Sequence, residues 1–226
     1  MHEEIEGYEK IARKAIEDFG LFPGFMRMEV ELSDDLYAVD LDPILWRLCL
    51  KVPPHSEDLV YSLVLHELGH WKFCPSSLYY EEKILQGVSK VVKGELVFPV
   101  SELFEDIIVN AVCSLLFKDF PKGMFHFVGC GKSNAHYAFF AINMHIWGHL
   151  VGEREIKVGG KVRKCTEACL QALFGNWRDL SLEDKAWILM RSEEWEGKAE
   201  EFARCLYPLF KRYRTRFNFY TEKARE

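Results

Sequence analysis

The sequence predicts a helix-dominated α+β fold, with residues 1–226 forming one domain. Three observations predict it. Apolar residues recur at helical spacing through most of the chain, the one confident pair of strand-like segments lies in residues 25–41, and no repeat, low-complexity tract or linker divides the whole. With 226 residues, 49% of them hydrophobic, the chain is long enough to bury one sizeable core.

Ile5, Tyr8, Ile11, Ala12, Ala15 and Ile16 mark an amphipathic helix over 3–19, and Gly20 is its natural stop. The segments FMRMEVEL and LYAVDL are short and largely alternating, and Ser33, Asp34 and Asp35 between them signal a turn. They read as a β-hairpin over 26–41, the one strand pair expected. After Pro53 and Pro54, Ser56 is placed to cap a helix whose first turn holds Glu57 and Asp58 and whose apolar pattern runs to Trp71, before Pro75. Further helices are expected near 79–93, 101–117, 134–150, 163–174, 182–191 and 194–214. Residues 123–134 and 153–164 read as irregular or hairpin stretches.

Composition narrows the function classes. A net charge of -6, from 29 basic and 35 acidic residues, offers no excess to attract a phosphate backbone, so nucleic acid is not the expected partner. No apolar run approaches the roughly 18 residues needed to span a bilayer, which argues against a membrane protein. The seven cysteines are an odd number in a chain too long to need a disulfide framework; reduced thiols and a cytoplasmic location are expected. Cys165 and Cys169 are spaced to share a helix face, but without a second pair they make a poor metal knuckle. Two glutamines and five asparagines against abundant Glu and Lys hint at a thermophilic source.

The chemistry concentrates in HELGH, residues 66–70. Leu59, Leu63, His66 and His70 follow steps of four, three and four, so the histidines occupy an apolar stripe where leucines would be expected. Two inward imidazoles one turn apart are spaced to bind a single zinc ion, and Glu67 falls beside the metal, where a general base for water belongs. Gly69 is out of place in a helix interior, at about 1 kcal/mol against alanine, unless another element approaches the backbone closely there.

Such a site needs a third ligand. In SELFEDIIVNAVCSLLF, apolar groups cover most of the helix circumference, which implies burial on several sides, yet Glu102, Asp106 and Asn110 form a polar line at i, i+4 and i+8. Buried carboxylates are expensive unless paired or metal-bound, and the His66/His70 site is the natural partner.

HELGH, followed some thirty residues later by an acid with a polar residue one turn on, resembles the gluzincin metallopeptidases. The string HELGH, Phe73, Pro75, then Glu105, Asp106 and Asn110 is also similar to predicted archaeal and bacterial metallopeptidases of uncharacterised specificity. The resemblance covers about residues 56–117. It implies a zincin-like core with a small β-hairpin or sheet and additional C-terminal helices, one zinc ion, an acid as third ligand, and a residue four later that orients a ligand histidine. Asp106 is the first candidate for that acid, since Asn110 lies one turn on; Glu105 is the second, glutamate being the commoner ligand of the group; Glu102 is the third.

The implied activity is hydrolysis of peptide bonds, with His66, His70 and Asp106 or Glu105 holding zinc and Glu67 as base. The partner is then a peptide or protein substrate, and the hairpin edge could receive it as an added strand. Two rivals remain: hydrolysis of another amide or ester, and a non-catalytic protein whose zinc is closed by a fourth ligand such as His145 or His149. His126, His136, His145, His149 and Tyr137 are the candidates for a hydrogen bond to the oxyanion.

Overall fold

A computed structural model describes residues 2–32, 38–42, 45–52, 57–126, 133–152 and 156–210. Helix α1 (His2–Asp18) buries Tyr8, Ala12, Ala15 and Ile16, the stripe expected of its periodicity, and Gly20, at φ +86°, ends it. Three strands follow: β1 (Arg27–Leu32), β2 (Ala38–Asp42) and β3 (Arg47–Val52). Their spatial order is β1-β3-β2, with β1 parallel and β2 antiparallel to β3.

The expected hairpin over 26–41 is therefore not formed: both segments are strands, but each pairs with β3 rather than with the other. Burial explains this. Leu48 and Leu50 of β3 are sealed from solvent, whereas β1 alternates between exposed and half-buried residues, as an edge strand does. Placing β3 centrally sets Met28 and Val30 opposite Leu48 and Leu50, with Leu41 opposite Leu48 from the other side. The alternation in RLCLKV is the signal that locates the third strand.

Helix α2 (Glu57–Lys72) carries HELGH and packs against α1 and β2; its expected cap, Ser56, lies outside the described residues. Helix α3 (Leu78–Ser89) is capped by the Ser77 hydroxyl, and α4 (Val97–Leu116) is buried almost without interruption from Val100 to Ser114. It begins before residue 101 because Pro99 falls in its first turn, where a missing N–H does no harm. Helix α5 (Phe120–Phe125) is an element the sequence reading left irregular; Gly123 lets it press on Asp58 and Ser62 of α2.

Helices α6 (Asn134–Trp147), α7 (Gly160–Phe174), α8 (Leu182–Leu189) and α9 (Trp195–Phe210) complete the described fold. The C-terminal part of the last expected helix, beyond 210, lies outside the described residues. Residues 156–159 have no regular structure, and α7 starts at Gly160, earlier than expected, because the glycine pair reads locally as a turn. One hydrophobic core runs from α1 to α9, with α4 in contact with α2, α3, α6, α8 and α9. No described helix is long and apolar enough to cross a membrane, and the six described cysteines are free thiols. Cys130 lies outside the described residues.

Candidate metal centre

The site is built where α2 crosses α4. Gly69 is the contact point: a Cβ there would meet Val109 Cγ1 at 2.6 Å and Cys113 Sγ at 3.0 Å. The glycine is the close approach that its position in the helix implies. It lies between His66 and His70, as Val109 lies between Asp106 and Asn110, so two pairs of polar side chains face each other across the crossing.

Three donor atoms converge there. His66 Nε2 and His70 Nε2 are 3.1 Å apart, and Asp106 Oδ1 lies 3.3 Å from the first and 3.0 Å from the second. His66 and Asp106 are buried at 2% and 5% exposure, and the His70 side chain retains 24%, so the cluster opens on the His70 side. Among the described residues these three side chains are the one group able to hold a metal ion.

The hydrogen bonds behind the cluster fix which nitrogens are available. The Trp147 indole N–H, which can only donate, donates to Asn143 Oδ1 (3.0 Å), and Asn143 Nδ2 donates to the Phe139 carbonyl (3.0 Å). Asn110 must then present its amide nitrogen to Asn143 Oδ1 (3.2 Å), which turns its oxygen toward His66 Nδ1 (3.0 Å). An amide oxygen only accepts, so Nδ1 of His66 carries a proton and Nε2 of the neutral ring is bare. His70 reaches the same state more simply, donating from Nδ1 to the Cys74 carbonyl (3.0 Å).

Two imidazole lone pairs and a carboxylate oxygen thus face one another in a buried space, an arrangement that repels itself unless a cation lies between. A zinc ion with bonds of about 2.0–2.1 Å holds its tetrahedral ligands about 3.3 Å apart, close to the separations found here. The residues fit the ion. Without one, a proton answers the same field. Burial alone would lower the His70 pKa, but Asp106, Glu67 and Glu105 raise it to about 9. Burial likewise pushes the Asp106 carboxyl up, and the two imidazoles outweigh it and hold the group at about 2.

Glu67 projects from the same helix into a largely buried position, and its carboxylate has no hydrogen-bond partner among the described residues. Burial raises its pKa, the fields of His66 and His70 oppose this, and Asp106 and Asp40 of β2 add to it. Glu105 is not in the cluster. One residue before Asp106, it is turned about 100° around α4, and burial pushes its pKa up to about 8 against the opposing field of His70. Glu102 is exposed and also outside.

The other candidate histidines, among the described residues, lie outside the cluster. His145 stacks edge-on against Trp177 with ring centroids 4.8 Å apart, His136 pairs with Ser133, and His126 and His149 are exposed. Cys165 and Cys169 join no metal-capable group among the described residues. Sequence reading missed Asn143 and Trp147. Asn143 is one of two amides on α6, and nothing in the helix alone distinguishes it from Asn134; the packing of α6 against α4 does. Compared with known proteins, the chain matches no family model, no curated protein and no solved structure.

Proposed function

We propose that this protein is a zinc-dependent peptidase with a zincin-like core, its metal held by His66, His70 and Asp106 and its general base Glu67. The observation that carries the reading is the convergence of two Nε2 atoms and a carboxylate oxygen, with both Nδ1 atoms engaged by acceptors, so that in the neutral rings the Nε2 atoms are the ones left for a metal. Zinc, when bound, supplies Lewis acidity, lowering the pKa of water and polarising a carbonyl. The chain's own groups do the rest. Asn110 and the Cys74 carbonyl hold the imidazoles in register, and Asp106 offsets positive charge. Glu67, its pKa raised by burial, accepts a proton from the attacking water and returns it to the leaving amine.

Strand β2 supports a peptide as substrate. It is an edge of the sheet among the described residues, it packs against α2, and its Asp40 is close enough to influence Glu67. An extended peptide adding to that edge would run past the base. The test is zinc content on wild type, His66→Ala, Glu67→Gln and Asp106→Ala, together with cleavage of casein. Wild type should hold about one zinc, the histidine and aspartate variants should lose it, and Glu67→Gln should keep it while losing cleavage. Wild type that binds no zinc on refolding, or variants that all retain it equally, would overturn the reading.

A further inference from the structure

A second cavity, of about 530 Å³, lies between α6, residues 156–158, α7 and the turn after α7. It is distinct from the metal centre: Ala141 and His145 line it, and each is two residues from Asn143, which places them on the face of α6 opposite the hydrogen-bond relay to His66. The volume is that of a small-molecule site.

The charge of its described lining is opposite to that of the protein. In a chain of net charge -6, the described lining brings Lys157, Arg163 and Arg178 together with a single acid, Glu167. Arg163 Nε donates to Glu167 at 3.3 Å, so one cation is compensated within the wall. Lys157 and Arg178 form no ion pair among the described residues. The Arg178 guanidinium lies over the Trp177 ring, 4.5 Å from its centroid, while His145 abuts that ring edge-on. Stacking holds the guanidinium plane without engaging its N–H edge, which stays available to an oxyanion.

The remainder of the described wall is apolar, from Ala141, Ile156, Val158 and the buried Trp177, except at His145 and Thr166. Thr166 is 2% exposed, and its hydroxyl, sealed from the cavity, has no hydrogen-bond partner among the described residues.

We infer that this cavity binds a small organic anion, a phosphate ester or carboxylate on an apolar body, with Arg178 and Lys157 taking the oxyanion and Trp177 the apolar part. Calorimetric titration with phenyl phosphate, phenylacetate and neutral benzyl alcohol tests it on the whole chain. At least one anion should bind with a Kd of about 1 mM or tighter at low salt, and benzyl alcohol at least about tenfold more weakly. Arg178→Glu and Lys157→Glu, both at exposed side chains, should each weaken the anion about tenfold or more. Zinc content should be unchanged in both, which separates this site from the metal centre. Tighter phenyl phosphate would identify a phosphate ester, and tighter phenylacetate a carboxylate. The inference fails if neither anion binds below about 10 mM, if benzyl alcohol binds equally, or if both charge reversals leave affinity unchanged.

Discussion

Replacing Asn110 by alanine would test the metal centre without touching a ligand. The substitution removes the acceptor 3.0 Å from His66 Nδ1, in a ring only 2% exposed, and leaves its N–H buried and unpaired. Such a group costs about 1–3 kcal/mol. Asn143 loses one donor but keeps Trp147, so little is added on that side. The metal-free protein can escape the penalty by moving the proton to Nε2 of His66. The zinc-bound protein cannot, because binding requires that nitrogen bare. The cost therefore falls on zinc affinity, which should weaken by about tenfold to a hundredfold, or about 1.4–2.8 kcal/mol. Competition against a chromophoric chelator at neutral pH would measure it. Asn110→Asp keeps an acceptor at the same place and should hold zinc at least as well as wild type. Wild-type affinity in Asn110→Ala would refute the relay and reduce Asn110 to a packing residue.

Two further predictions concern the helix crossing and its neighbour. Gly69→Ala ought to stabilise a free helix by about 1 kcal/mol, but here the new methyl collides with Val109 and Cys113; the net effect should be a loss of about 1–3 kcal/mol in urea unfolding, and a gain would mean that the helices do not approach so closely. Glu105, with its folded pKa raised to about 8, should make the metal-free protein lose stability as pH rises from about 4.5 to 8, because the folded state holds a proton that the unfolded state has released. Glu105→Gln should flatten that decline while leaving zinc content intact; equal urea midpoints for variant and wild type at both ends of the range would contradict this.

What was legible in the sequence is what helical periodicity fixes. His66, His70, Asp106 and Asn110 are placed on their faces by spacings of four residues, and burial on several sides of α4 follows from its apolar circumference. Glu105 and Asp106 differ by about 100° of rotation, and choosing between them needs the face that α4 turns to α2, which is tertiary information. The sheet failed for a related reason. Alternation names the strands and their faces, but both flanking strands satisfy the same rule against β3, so pairing order depends on which strand can be covered on both sides. Likewise Asn143 is unremarkable until α6 is brought against α4.

Gly69 connects these features. Because it has no side chain, α2 and α4 come together with Val109 and Cys113 against bare backbone, and the space on either side of that contact is shallow. A shallow gap selects short polar groups. Asp106 spans it with one methylene and sets a single oxygen within 3.3 Å of both Nε2 atoms, and Asn110 spans it to reach His66 Nδ1. A glutamate at 106 would carry an extra methylene into the same gap and overshoot, unless the helices moved apart and gave up the contact at Gly69. The preference for aspartate over the longer acid thus follows from a glycine on the other helix. Through Asn143, the orientation set at the crossing is tied in turn to Trp147 on α6, one turn beyond. A buried indole N–H, which can donate and nothing else, therefore determines through two amides which nitrogen of His66 is free to bind.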